Sequence, residues 1–197
     1  MKSHHLVPCG IAALVALFLL CGCGTSGSVS ARVTNGHGTL SVNLTDAPLD
    51  LANVQSVMVT LTGVIVYPME SMGSGMTDPA GTDLRPVVLL THPATFDLLT
   101  LTGGVTELLA SGEVPVGDYE RIRLEVSDAT LIYKDGTSAL LKIESNKVDV
   151  PIPFHIVQGQ ETGVTLDFDA GASVQVNETG NDKLILRPVV TPVFVTP

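Results

Sequence analysis

The sequence predicts an all-β domain, an antiparallel β-sandwich with one short helix, set behind an N-terminal leader and a tether. Three observations carry this. From Leu40 onward apolar residues recur at every second position, the pattern of strands with one buried face. The runs are short and are separated by Gly, Pro, Asn and Asp clusters that make turns. Hydrophobic residues form 45% of the 197-residue chain, too many for a disordered polymer. The three cysteines, Cys9, Cys21 and Cys23, all precede the patterned region, so the core must stand without disulfides.

The elements follow in order. Thr39 to Thr45 alternates cleanly and buries Leu40, Val42 and Leu44, each worth roughly 1.5–3 kcal/mol. Asp46-Ala47-Pro48 stops that strand, because proline has no N–H for the ladder. Val54 to Tyr67 begins with Val57, Val59 and Leu61 on one face, and Gly63 marks a bulge or bend. Met69 to Asp83 is a Gly- and Met-rich loop. Arg85 to Thr91 is the next strand. Leu101, Val105, Leu108 and Leu109 have helical spacing but are split by Gly103-Gly104, so the short helix is expected over Val105 to Ala110. Tyr119 to Val126 alternates, and Ala129 to Tyr133 continues it after a break at Ser127-Asp128. Lys134-Asp135-Gly136-Thr137 is a hairpin turn that brings Ala139 to Ile143 back as partner. Val148 to Phe154, Val164 to Asp169, Ala172 to Val176 and Lys183 to Val195 complete the strands.

The N-terminus reads as an address. After Lys2, Ile11 to Leu20 is an unbroken apolar run, well short of the roughly 20 residues that span a bilayer. It suits the apolar region of a secretory signal. It ends in Leu20-Cys21-Gly22-Cys23, which resembles the bacterial lipobox: Leu at −3, a small residue at −1, then the acylated Cys. Residues 1–22 are therefore expected to be a signal peptide and Cys23 the lipid attachment site, carrying palmitate-type acyl chains. Residues 23–38, rich in Gly, Ser and Thr, would form a flexible tether, and residues 39–197 the sandwich. Gly24 at +2 resembles sorting to the outer membrane, so the expected location is the bacterial cell envelope. The partners expected are the membrane, through Cys23, and an envelope protein or polysaccharide. With 20 acidic against 10 basic residues and a net charge of −10, nucleic acid is disfavoured.

Five strings are specific in combination: Leu44-Thr45-Asp46-Ala47-Pro48; Phe96-Asp97-Leu98-Leu99 with Gly103-Gly104; Val114-Pro115-Val116-Gly117-Asp118-Tyr119; Leu166-Asp167-Phe168-Asp169-Ala170; and Leu184-Ile185-Leu186-Arg187-Pro188-Val189-Val190. In this order, behind a lipobox, they resemble the domain of unknown function 4382 family of bacterial lipoproteins. The resemblance implies a β-sandwich in the envelope and no particular activity. The Pro115-x-Gly117-x-Tyr119 piece is similar to the start of a strand in transthyretin-like and carboxypeptidase-regulatory-like sandwiches. That likeness implies a transthyretin-like or Ig-like Greek key, with Tyr119 packed at the sheet edge and its hydroxyl on backbone.

The chemistry-bearing residues are few. Behind the leader the histidines are His37, His92 and His155, and no short motif links them to a Ser, Asp or Glu. No enzyme and no cofactor is expected. Asp167 and Asp169 are two apart in a strand, and Asp46 ends another. If topology gathered them, the three carboxylates would suit Ca²⁺. The competing reading, the favoured one, has them capping turns or pairing with Arg187. Met69, Met72 and Met76 offer thioethers for Cu(I), with no His or Cys nearby. The favoured function is a non-enzymatic, lipid-anchored binding or structural module. The first alternative is a Ca²⁺- or carbohydrate-binding accessory module, for which the scarcity of aromatics is unfavourable. An envelope enzyme comes second.

Overall fold

The structure, a computed structural model, describes residues 36–46, 53–69, 85–177 and 183–196. Its strands are β1 (His37–Thr45), β2 (Val54–Pro68), β3 (Val87–Leu90), β4 (Ala94–Asp97), β5 (Glu107–Pro115), β6 (Gly117–Tyr133), β7 (Ser138–Leu140) and β8 (Lys142–Ile143). There follow β9 (Lys147–Ile156), β10 (Glu161–Phe168), β11 (Val174–Asn177), β12 (Lys183–Leu186) and β13 (Val190–Thr196). Two strand systems form the sandwich. One has the order β13-β10-β1-β5. The other runs β3-β2-β6-β7, with β4 also on β2 and β9 also on β6. A small third sheet, β11-β12-β8, lies beside them in the topology. The domain is an all-β sandwich, as the alternation predicts.

The core is the set of positions that share one parity. Leu40, Val42 and Leu44 of β1 and Val164, Leu166 and Phe168 of β10 are all fully buried. On the other sheet Val57, Val59 and Leu61 of β2 and Ile122, Leu124 and Val126 of β6 are almost or entirely buried. The bulge expected at Gly63 is present: Leu61 pairs with Val126 and Gly63 with Glu125, so one residue is extra and the buried phase moves to Val64 and Val66. A Cβ at Gly63 would come within 2.8 Å of the Glu125 carboxylate.

Several expectations need correction. Two pairings are parallel, β1 with β10 and β8 with β12, where an antiparallel sandwich was expected throughout. Alternation specifies which face is buried and carries no direction. The helix expected over Val105 to Ala110 does not form; Glu107 to Ala110 open strand β5, which pairs with β1. The Gly103-Gly104 pair, both at positive φ (74° and 87°), turns the chain there instead. The helical turns are a 3-10 turn at Leu98–Leu101 and α1 (Ala170–Ser173), the latter replacing the start of the strand expected from Ala172.

The remaining differences concern strand limits. Strand β1 starts at His37, two residues ahead of the expected boundary. Strand β4 was not anticipated. Ser127-Asp128 does not break β6, because Thr60 pairs with Asp128 and Leu61 with Val126; Ser127 is absorbed as a bulge. The hairpin turn at Lys134 to Thr137 forms as expected, but its returning arm splits at Leu141, which turns inward and is buried. Lys183 to Val195 is two strands, divided at Arg187-Pro188-Val189.

Candidate functional site

Four of the five diagnostic strings meet at one corner of the sandwich, at the end of β1. Asp46 follows Leu44 in the inward phase of β1 and is 3% exposed. Its Oδ1 accepts a hydrogen bond from the Ala170 backbone N–H at 2.9 Å. Its own N–H donates to the Leu101 carbonyl, and the Thr45 hydroxyl donates to the carbonyls of Leu101 and Val105. Asp169 caps α1 by accepting from Ala172 N–H at 2.8 Å, while its own N–H donates to Val189 O. The buried Ser173 hydroxyl accepts from Val189 N–H at 2.8 Å, and Arg187 N–H donates to Ser173 O. In the same region Asp97 Oδ1 accepts from Leu99 and Val57 N–H. These irregular segments have no ladder partners of their own. The Asp, Ser and Thr side chains fill backbone donors and acceptors that would otherwise be buried bare.

This geometry settles where the candidate metal ligands stand. In the parallel register Leu44 faces Leu166 and Thr45 faces Asp167. Asp46 therefore shares the inward parity of Phe168, whereas Asp167 shares the opposite parity with Thr45. Asp169 lies beyond the strand as a helix cap. The structure does not bring Asp46, Asp167 and Asp169 together, and among the described residues no three His, Cys, Asp or Glu side chains are grouped to hold a metal ion. Two of them cap or brace turns, and Arg187 pairs with Glu144 at 2.6 Å rather than with any of the three. The parity that separates Asp46 from Asp167 was readable in the sequence; the register that fixes it was not. Of the Met cluster, Met69 is exposed after β2, and Met72 and Met76 lie outside the described residues, as does Cys23.

The fifth string lies at the opposite end of β1. Gly117 has φ 147°, a conformation that favours glycine, and starts β6. Tyr119 is fully buried, stacked on Phe154 at 5.3 Å, and its hydroxyl donates to Pro115 O at 2.9 Å. The backbone role expected of this hydroxyl is what the structure shows; the ring sits at a strand end between β2 and β9 rather than at a sheet edge. Burial pushes the phenol up to about 12.

His155 and Asp118 are cross-strand partners on β9 and β6, with Nδ1 and Oδ1 2.8 Å apart. Sequence spacing did not reveal this pair, because the two residues lie on strands that only the sheet brings together. Both side chains are exposed, 59% and 67%.

Further along the same face, Arg123 grips Asp149 with two bonds (Nε–Oδ1 2.7 Å, Nη2–Oδ2 2.8 Å) and donates to the Tyr67 hydroxyl at 2.9 Å. The Arg121 guanidinium lies 4.1 Å from the centre of the Tyr67 ring, and that of Arg123 at 5.0 Å. Arg123, by hydrogen bond and charge, holds the Asp149 carboxyl below its ordinary value. A depressed carboxyl adds stability above its ordinary value of 3.8, and that stability disappears as pH falls. For this exposed pair, Asp149→Asn is expected to cost under about 1 kcal/mol at neutral pH. The gap from the parent should narrow as pH falls below 3.8, as urea denaturation at neutral and at acid pH will report.

These observations define a class: an all-β sandwich domain braced at one end by a polar corner and at the other by a buried tyrosine. The chain belongs to the family described as Domain of unknown function (DUF4382), whose profile matches residues 37–188. That span opens with β1 and takes in four of the five strings whole and the fifth as far as Pro188. No curated protein and no solved structure matches the chain.

Proposed function

We propose that this chain is a lipid-anchored protein of the bacterial cell envelope. Residues 1–22 act as its signal peptide, and palmitate-type acylation of Cys23 attaches it to the membrane, the outer one in a two-membrane cell. Its sandwich works by binding or as a structural module, without catalysis. One observation carries the anchoring: an apolar run too short to span a bilayer ends in Leu20-Cys21-Gly22-Cys23, and a Gly/Ser/Thr-rich stretch then leads to β1 at His37. Stable attachment takes two hydrophobic signals, which a diacylated cysteine supplies. Among the described residues no helix is long and apolar enough to cross a membrane. The non-catalytic reading draws support from the His155–Asp118 pair, whose side chains are both more than half exposed.

The test is Cys23→Ala with membrane fractionation and mass spectrometry of the natively purified amino end. The parent is expected in the membrane fraction with an acyl adduct on Cys23, and the variant is expected to lose both. A parent without the adduct, or a variant that fractionates unchanged, overturns the anchoring.

A further inference from the structure

We propose that the open cleft beside the β6–β7 turn binds one or two units of an uncharged saccharide. This names a ligand for the binding role proposed above and rests on it. The cleft has a volume of about 620 Å³ and is lined, among the described residues, by Asn53, Tyr133, Lys134, Asp135 and Thr137. That lies within the about 300–1,000 Å³ of small-molecule sites.

The chain's three tyrosines point to this place by comparison. Tyr119 is buried with its hydroxyl committed to Pro115 O. Tyr67 has the Arg121 and Arg123 guanidinium groups over its ring and its hydroxyl accepts from Arg123, so it is already engaged. Tyr133 differs from both. It is half-buried, its ring packs against the core, and its hydroxyl makes no hydrogen bond among the described residues. A half-buried aromatic ring that packs on the core and lines a cleft suits the apolar face of a pyranose.

The polar lining has the complementary chemistry. A saccharide hydroxyl both donates and accepts, and so do the Asn53 amide and the Tyr133 hydroxyl; the Thr137 hydroxyl, whose proton goes to Asp135, is left to accept. The wall is built before any ligand arrives. Tyr133 N–H donates to Thr137 O, and Gly136 N–H to Tyr133 O. Asp135 Oδ1 accepts from both the N–H and the hydroxyl of Thr137, at 2.9 and 2.6 Å. Lys134 N–H donates to Asn53 O, which fixes the strand opposite. Such preorganisation lowers the ordering cost of binding. Charge selects the class: Lys134 and Asp135 balance locally, and the chain's net −10 repels anionic glycans.

The experiment uses the acylated full chain in detergent, with ¹³C-labelled tyrosine rings observed by NMR. The probes are maltotriose, the trimer of N-acetylglucosamine, and trigalacturonate as the anionic control. One of the neutral trimers is expected to shift the Tyr133 signals saturably, with a Kd of about 0.1–1 mM, while the buried Tyr119 stays put. Asn53→Ala is expected to weaken that binding about tenfold without changing the free spectrum. Tyr133→Phe, which keeps the ring, is expected to weaken it less. No saturable shift at Tyr133 with either neutral trimer up to about 10 mM overturns the proposal, as does an Asn53→Ala titration identical to the parent's. A silent titration of a chain that carries its Cys23 adduct overturns the saccharide alone. A missing adduct overturns the anchoring alone.

Discussion

Replacing Tyr119 with Ala is expected to lower the free energy of unfolding by about 3–5 kcal/mol, enough to leave a small domain marginal. The ring is fully buried, stacked on Phe154, and held at its tip by Pro115 O. Its loss opens a cavity at the strand end where β2, β6 and β9 meet. Tyr119→Phe keeps the stacking and removes one hydrogen bond, a cost of about 0.5–1.5 kcal/mol. The two variants also separate in their pH dependence. The phenol's ordinary value is 10.0 and burial pushes it up to about 12. Between these values the unfolded chain gives up a proton that the folded chain retains, so stability falls as pH rises. The contribution is full below about pH 10, and the slope reaches at most about 1.4 kcal/mol per pH unit. Tyr119→Phe should lose that contribution to the alkaline limb. Denaturation of parent and Tyr119→Phe at stepped pH measures it, and equal slopes for the two would contradict the assignment to this residue.

The second large effect is expected at Asp46. Asp46→Ala leaves the Ala170 N–H buried without its carboxylate and cuts the brace between β1 and α1, at a cost of about 3 kcal/mol. Asp46→Asn keeps an acceptor oxygen and should recover part of the loss. Chemical denaturation checks both, and hydrogen exchange adds position: the amides of Ala170, Ala172 and Ser173 should lose protection first in Asp46→Ala, while those at the Tyr119 end hold. A Ca²⁺ role for Asp46 would instead make the parent's stability depend on Ca²⁺ and chelator. Because Asp167 lies at the opposite parity, no such dependence is expected.

Much of the fold was legible in the residues. Leu40, Val42 and Leu44, or Ile122, Leu124 and Val126, announce a strand with one buried face by parity alone, since a strand turns successive side chains to opposite sides. Gly63 announced its bulge, where a Cβ would crowd the Glu125 carboxylate, and Lys134-Asp135-Gly136-Thr137 its turn, where Gly136 takes a positive φ. The start of the strand at Tyr119 was legible for the same reason. The failures share a cause as well. Leu101, Val105, Leu108 and Leu109 satisfy helical spacing, yet Leu108 and its neighbours become strand because β1 offers a ladder edge there. Local preference yields to a nonlocal partner.

The candidate sites divide in the same way. The residues of the His155–Asp118 pair, the Arg121–Tyr67–Arg123–Asp149 cluster and the Asp46 brace are all present in the sequence, but none of these groupings could be read from spacing. Each joins residues on different strands or turns, and register is set when sheets assemble.

The sequence by itself determined that the chain is β-rich, which positions are buried and where the tight turns fall. Only the tertiary structure decided that β1 and β10 run parallel, that four diagnostic strings share one corner, and that three tyrosines meet three different surroundings. The physical reason is that a period of two residues assigns a side chain to a face but names no neighbour. Neighbours are chosen by hydrogen-bond ladders that close between distant segments.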